Sequence, residues 1–475
     1  MNANLPTTEL APEMLENHPI GEIAIGSSAS LDRTVTKRDI QLFAAITGDV
    51  NPAHVDALYA SSSQFREIIA HGMLGGALIS TVLGTRFPGP GTIYLGQTLK
   101  FLKPVRIGDT LTVTVTVTKL EADRGHVTLA TTCINQHGDV VIDGQAQVLA
   151  PREKLSIART EIAQPLLADK NLRYDQLMEA ARTCPRIRMA VVHPCSREAL
   201  EGALDASGLG LIEAVLVGPV VRIRELALQN GFDLAGITLV DVPHSHAAAA
   251  KAVQMVHAGE VQALMKGSLH SDELLAEVVH PQTGLRTGRR ISHVFVLDVP
   301  RYPKPLLVTD AAINVAPDFD AKADIVRNAI DLAHALGIRT PKVAILSAVE
   351  TVTSKLQSAM DAAALSKMAD RGQITGALVD GPLAFDNAVS MAAAKTKGIV
   401  SPVAGDADVL VVPDLDAGNM VAKQLEYLGD AQAAGIVMGA RVPIVLTSRA
   451  DSAHSRIASC AIALLVAKYL RVSAS

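Results

Sequence analysis

Two different rhythms of apolar and polar positions divide the chain near residue 150. Leu111 to Leu120 reads LTVTVTVTKL, with apolar side chains at 111, 113, 115 and 117. Strict alternation predicts a strand with one buried face. His126–Ile134 and Val140–Ala150 repeat the pattern on either side of the turn Gln136-His137-Gly138-Asp139, which predicts a meander. Upstream, Gly72 to Leu83 reads GMLGGALISTVL, apolar nearly all round, so a helix there is expected to be buried. Beyond residue 170 ten short apolar runs, from Met189–His193 through Val294–Val299 to Ile444–Thr447, alternate with helical patterns. Continuous apolar runs of that kind belong to parallel strands covered on both faces. The expected organisation is a flexible N-terminus at 1–19, an α+β domain at 20–150 with an antiparallel sheet around a buried helix, a charged linker at 151–170, and two α/β lobes at 171–475.

Composition narrows the function classes. The 475 residues are 49% apolar and 19% charged, enough for buried cores. Net charge is −5 and only 3% of residues are aromatic, which disfavours nucleic acid as a partner. The four cysteines are widely spaced, with no CxxC, as expected in a reducing compartment. The N-terminus does not read as a signal peptide and no apolar stretch is long enough to span a bilayer, so a cytoplasmic chain without a membrane partner is expected.

Two segments carry candidate chemistry. Residues 47–56 read TGDVNPAHVD. The Asn51-Pro52 turn can bring the Asp49 carboxylate and the His54 imidazole to one small volume, as an acid–base pair or joint holders of a water. The same residues also fit a capping Asp and a surface His. Gly72 would open the apolar helix, whose free N–H groups can polarise a carbonyl oxygen. In the second region, VPIVLTSRADSAHSR places Ser448 and Arg449 between an apolar strand and an Ala-rich helix. A hydroxyl, a guanidinium fork and a helix start make an anion site; a capped helix with a surface Arg fits equally. Lys266 in ALMKGSLHSDEL and Arg286 in GLRTGRRISHV are further cations, the latter also readable as part of a solvated loop. There is no P-loop and no dinucleotide fingerprint. His244-Ser245-His246 and His193-Pro194-Cys195 lack partner ligands at helical spacing, so no metal is expected.

The set GDVNPAHVD, AHGM, PGPGTIYLGQTLKFLKPV and GDTL resembles the MaoC-type (R)-specific enoyl-CoA hydratases, over about residues 20–150. The resemblance implies a hot-dog fold, Asp49 and His54 as the pair that activates water, Asn51 supporting the loop, and Gly72 polarising the thioester. The segments ALMKGSLHSDELL, GLRTGRRISHVFVL, LLVTDAAINVAPD, GALVDGPLAFDNAVS and VLTSRADSAHSR resemble the phosphate acetyl/butyryltransferases. That resemblance implies two isocitrate-dehydrogenase-like α/β lobes, with Ser448 and Arg449 holding the phosphoryl group and Lys266 and Arg286 as further ligands of the same anion. Family members can carry an acidic base seven residues after the Ser; here that position is Ser455, and the nearer acid is Asp451. Together the resemblances imply a bifunctional enzyme. One half would hydrate 2-enoyl-CoA and the other would move an acyl group between CoA and phosphate. Neither would need a tightly bound cofactor: acyl-CoA, CoA, phosphate and acyl phosphate are the small-molecule partners. A homo-oligomer is expected. The alternatives are a transferase with a non-catalytic acyl-CoA-binding module, and an acyl-CoA sensor without turnover.

Overall fold

A computed structural model describes residues 14–159, 172–447 and 451–474. The chain forms two compact units, 1–167 and 168–475.

The first unit opens with β1 (Met14–Glu16), then β2 (Ser28–Thr34), β3 (Ile93–Phe101), β4 (Thr110–Glu121), β5 (His126–Ile134), β6 (Val140–Leu149) and β7 (Ser156–Ala158). Strands β2 to β6 form one antiparallel sheet in the order β2-β4-β5-β6-β3. The alternation in the sequence is the reason. Leu111, Val113, Val115 and Val117 of β4 are all buried, while the threonines between them point to the other face. The helix Gly72–Thr85 lies against the buried face through Gly75, Ile79, Val82 and Leu83. This is the hot-dog arrangement, with one correction. The helix is buried on one side only: Met73, Ala77 and Ser80 are exposed, because the sheet covers a single face of it.

The ends of this unit also differ from expectation. Strand β1 pairs antiparallel with β7, so neither the whole of 1–19 is flexible nor the whole of 151–170 a linker. Asn17 is fully buried between them. It donates to the carbonyls of Pro90 (3.1 Å) and Glu153 (2.9 Å) and accepts from the Leu155 N–H (2.8 Å). Three satisfied bonds make a buried amide tolerable there.

The strands of the second unit are β8 (Ile187–Val192), β9 (Ile212–Gly218), β10 (Thr238–Asp241), β11 (Ala263–Lys266), β12 (Ser292–Asp298), β13 (Leu306–Thr309), β14 (Lys342–Leu346), β15 (Leu378–Leu383), β16 (Val409–Val411), β17 (Gln432–Met438) and β18 (Ile444–Val445). The two lobes share one sheet, ordered β10-β9-β8-β11-β18-β17-β12-β13-β16-β14-β15. Each lobe is parallel within itself. Strands β17 and β12 join the lobes by antiparallel pairing, so the two parallel sets run in opposite directions. The expectation of a parallel strand at Val294–Val299 therefore fails: β12, which takes in that run up to Asp298, is antiparallel to both neighbours. Both faces of the sheet are covered, as the continuous apolar runs required: Met189 to Val192 are all fully buried. The closing helix, Ala453–Ala474, is buried almost without interruption from Ile457 to Ala467. No helix among the described residues is long and apolar enough to cross a membrane.

Candidate active sites

In the first unit the helix Lys37–Thr47 stops at Gly48, whose φ of 76° is a left-handed value that suits glycine. The chain then turns through Asp49. The Asp49 N–H donates to Thr47 Oγ1 (3.2 Å), and Asp49 Oδ1 accepts from the Asn51 N–H (3.3 Å). Asn51 itself caps the short helix Pro52–Val55, its Oδ1 accepting from the Ala53 N–H (3.1 Å). Asn51 performs the capping, so the exposed Asp49 carboxylate keeps acceptor capacity facing outward.

His54 is half-buried rather than a surface residue. Its Nδ1 lies 2.8 Å from the Ile69 carbonyl oxygen. A carbonyl only accepts, so Nδ1 carries the proton and Nε2 keeps its lone pair. His71 is 3% exposed, and its Nε2 donates to the Asp49 carbonyl at 2.9 Å. The two imidazole centroids are 4.0 Å apart with planes inclined by 33°. One ligand-capable atom from each of Asp49, His54 and His71 lies within 4.8 Å of the other two.

These groups border a cavity of about 630 Å³, whose lining includes Gly72, Phe101 and Ile142. Gly72 is the first residue of its helix, and the His71 side chain before it makes no hydrogen bond to the free N–H groups. A Cβ on Gly72 would come 2.9 Å from Phe101 Cε1, so only glycine leaves that helix start open against the cavity wall. The sequence pattern pointed to Asp49, Asn51, His54 and Gly72, and the fold gathers Asp49, His54 and Gly72 at one cavity, with Asn51 capping the adjoining helix. It did not single out His71, although AHGM contains it.

In the second unit Lys266 ends β11 and is 8% exposed. Strand β18 runs parallel to β11 with Met265 opposite Val445, so the chain leaving β18 emerges at the Lys266 edge. Ser448 and Arg449 come next in sequence after Thr447 and lie outside the described residues. Asp451 is half-buried, and its charge acts on Lys423. Burial opposes the Lys423 charge, but the Glu426 hydrogen bond (2.7 Å) and the nearby acids outweigh it and hold its pKa above the usual lysine value. Ser455, in the first turn of the closing helix, has its hydroxyl 3.1 Å from that of Ser452.

Arg286 does not share this edge. Its backbone bridges to Ala440 in the turn between β17 and β18, at the opposite end of β18 from Lys266. The strand register thus sets the Arg286 backbone at the other end of this two-residue strand from Lys266. Its neighbours are also committed elsewhere: Arg289 pairs with Asp331 at 2.5 Å, and the Arg290 N–H donates to Asp324 at 3.0 Å.

Of two further groups, the sequence pointed to His193 only as part of a metal-like fragment and not to His293 at all. His193, at the end of β8, has Nδ1 3.1 Å from Ser268 Oγ, and burial, then the Arg222 charge, lowers its pKa. His293 on β12 is 1% exposed; burial drives its imidazole down to about 4, against the opposing pull of Asp310 and of a hydrogen bond to the Leu446 carbonyl.

Comparison with known proteins follows the same division. The family described as Phosphate acetyl/butaryl transferase matches residues 244–464, and the MaoC like domain matches 23–136. A phosphate acetyltransferase of Rhizobium meliloti is 59% identical over 301 residues, covering 63% of this chain and 95% of that one. A branched-chain phosphotransacylase from Enterococcus faecalis V583 superposes with a TM-score of 0.53 at 32% identity, over 59% of this chain and 99% of its own. The unliganded R-hydratase PhaJ1 from Pseudomonas aeruginosa is 48% identical over 32% of this chain and 98% of its own, with a TM-score of 0.32. The chain belongs to the phosphate acetyl/butyryl transferase family, with a MaoC-like hot-dog domain joined ahead of the transferase region.

Proposed function

We propose that the chain is a bifunctional enzyme of CoA thioesters. The second unit transfers an acyl group reversibly between CoA and inorganic phosphate: acyl-CoA plus phosphate gives acyl phosphate plus CoA. The first unit adds water to a 2-enoyl-CoA to give an (R)-3-hydroxyacyl-CoA. Membership in the transferase family, with a relative named phosphate acetyltransferase at 59% identity, supports the first activity. The observation that carries the second is the lone pair left on His54 Nε2 beside the Asp49 carboxylate at a cavity mouth.

In the hydratase unit the Ile69 carbonyl fixes the His54 tautomer, so Nε2 is the base that takes a proton from water. The hydroxide adds to C3 of the enoyl group, and electrons move toward the thioester oxygen. The uncapped helix start at Gly72 stabilises the charge developing there. Asp49 orients the water, and the proton is then delivered to C2 of the enolate. No net proton is gained or lost.

In the transferase unit the CoA thiol, with an ordinary pKa near 8.5, needs a positive field or a base to attack an acyl phosphate. Ser448 and Arg449 hold the phosphoryl group in this reading. Lys266 adds positive charge at the edge where that segment begins, and Asp451 serves as the base. Arg286, with its backbone at the other end of β18, is a further candidate ligand of the same anion. Neither reaction calls for a tightly bound cofactor. The four cysteines are buried and free, which suits a cytoplasmic chain. Strand β3, at the edge of its sheet, exposes Ile93, Leu95 and Phe101 by more than half, and pairing with a second copy would cover it.

One preparation tests the whole. Crotonyl-CoA hydration and acetyl phosphate formation are measured on the same purified chain, with native mass spectrometry reporting a homo-oligomer. His54→Ala is expected to lower hydration about 10²–10⁴-fold while transfer persists. A wild-type chain that forms acetyl phosphate but binds crotonyl-CoA without hydrating it returns the first unit to a binding module.

A further inference from the structure

We propose that the first unit holds a second, inhibitory site at its own catalytic pair: a divalent zinc-type ion bound by Asp49, His54 and His71. Three observations point there. Among the described residues these three form the group whose ligand-capable atoms converge, all within 4.8 Å of one another. Both imidazoles are arranged as metal ligands are. Each donates one ring N–H to a backbone carbonyl, His54 Nδ1 to Ile69 and His71 Nε2 to Asp49, which fixes the tautomer and leaves the lone pair on the other nitrogen, as in metal-ligating imidazoles. The third is His71 Nδ1, which is fully buried in a residue 3% exposed and has no hydrogen-bond partner. A buried lone pair left idle calls for an explanation, and a cation supplies one.

Two imidazoles and one carboxylate make a donor set suited to zinc, with a coordination position left open to water. Zinc–nitrogen bonds of about 2.0–2.1 Å place tetrahedral ligands roughly 3.3 Å apart. The present separations of up to 4.8 Å therefore contract by about 1.5 Å at most. Asp49 is exposed and closes from the cavity side, which is the route of entry. The consequence follows from electron pairs. His54 Nε2 has one lone pair, and when it is given to the metal it no longer accepts the proton of water. The ion is bound reversibly, nothing is oxidised or reduced, and hydration stops while the transferase unit is untouched. The inhibition rests on the hydratase reading; the binding does not.

The test uses the full chain, stripped with a chelator and held in buffer free of phosphate and thiols. Cobalt(II) is titrated in and its visible absorption followed, and zinc binding is measured by calorimetry. Wild type is expected to bind one equivalent more than Asp49→Asn and than His71→Asn. The other histidines, including the exposed His244 and His246, account for the metal common to all three. Hydration by wild type is expected to fall in step with that equivalent and to return on adding chelator. His71→Asn, measured against its own metal-free rate, should need at least tenfold more zinc for the same loss. Equal stoichiometry in wild type and both variants overturns the proposal. So does inhibition with an unchanged zinc dependence in His71→Asn. A chain that binds the extra equivalent but hydrates nothing with or without metal keeps the site and refutes the hydratase reading alone.

Discussion

Gly75→Ala probes how tightly the helix Gly72–Thr85 is seated on its sheet. A Cβ at position 75 would fall 2.2 Å from Ile142 Cδ1, against a comfortable carbon–carbon distance of about 3.5–4.0 Å. The next atom, Ile142 Cγ1, is 3.6 Å away and causes no conflict. Overpacking of this kind costs about 1–3 kcal/mol, and replacing glycine by alanine inside a helix returns about 1 kcal/mol. The expected net loss is about 1 kcal/mol, or roughly fivefold faster amide exchange where exchange follows the opening equilibrium. Ile142→Val alone removes the offending carbon and costs about 1 kcal/mol through lost packing. In the double variant the two methyl groups exchange places, so stability should return to near wild type. Hydrogen exchange read on peptides from residues 72–85 makes the measurement specific to the first unit. The two single changes multiplied predict about 25-fold faster exchange, whereas the double variant should stay within about twofold of wild type. A double variant as fast as the product of the singles would show that Gly75 is not glycine because of Ile142.

Two other expectations follow from the second unit. Lys322 and Asp361 form a buried ion pair at 2.7 Å, each side chain 7% exposed, and Gln357 donates to the other oxygen of Asp361 at 2.7 Å. Lys322→Met should cost about 3–5 kcal/mol by leaving the carboxylate alone, while Lys322→Met with Asp361→Leu should recover most of it, as read by urea unfolding of the second unit. His293 titrates near 4 when folded and near 6.5 when unfolded. The unfolded chain therefore binds the extra proton, so the stability from this group is complete above pH 6.5 and is lost as pH falls toward 4. From pH 7 to 5 the loss should be about 2 kcal/mol. His293→Gln should flatten that slope, and an unchanged slope would assign the acid sensitivity to other groups.

Much of the fold was legible because its signals are local. The threonine–valine alternation of β4 gave both strand and buried face, and the continuous run at Met189–His193 gave a strand covered on both sides, found at Ile187–Val192. Strand β17 was not legible. Its QAAGIVM opens with small and polar residues, and the glycine that weakens its strand signal is demanded by a distant residue: a Cβ on Gly435 would sit 2.9 Å from His293 Nε2. The direction of β12 depends on which strands flank it, and no spacing within Ser292–Asp298 encodes that. At the first site the sequence located Asp49 and His54 because they share one turn. The part of His71 rests on a hydrogen bond to residue 49 across 22 positions, and only the fold creates it. Likewise Arg286 and Lys266 looked alike as further cations until the register set their backbones at opposite ends of β18.

The place of β18 has a consequence for biosynthesis. It fills the gap between β11 and β17, so the lobe begun by β8 stays unfinished until residues near 444 have left the ribosome. About 180 residues separate the end of β11 from β18, which at ~5–20 residues per second is roughly 10–35 s of exposed sheet edge. The five-stranded sheet at the front needs nothing beyond residue 149 and can close long before. A nascent chain stalled late in translation would thus carry a finished hot-dog sheet and a transferase unit still seeking its last strand, the stage at which a chaperone has most to do.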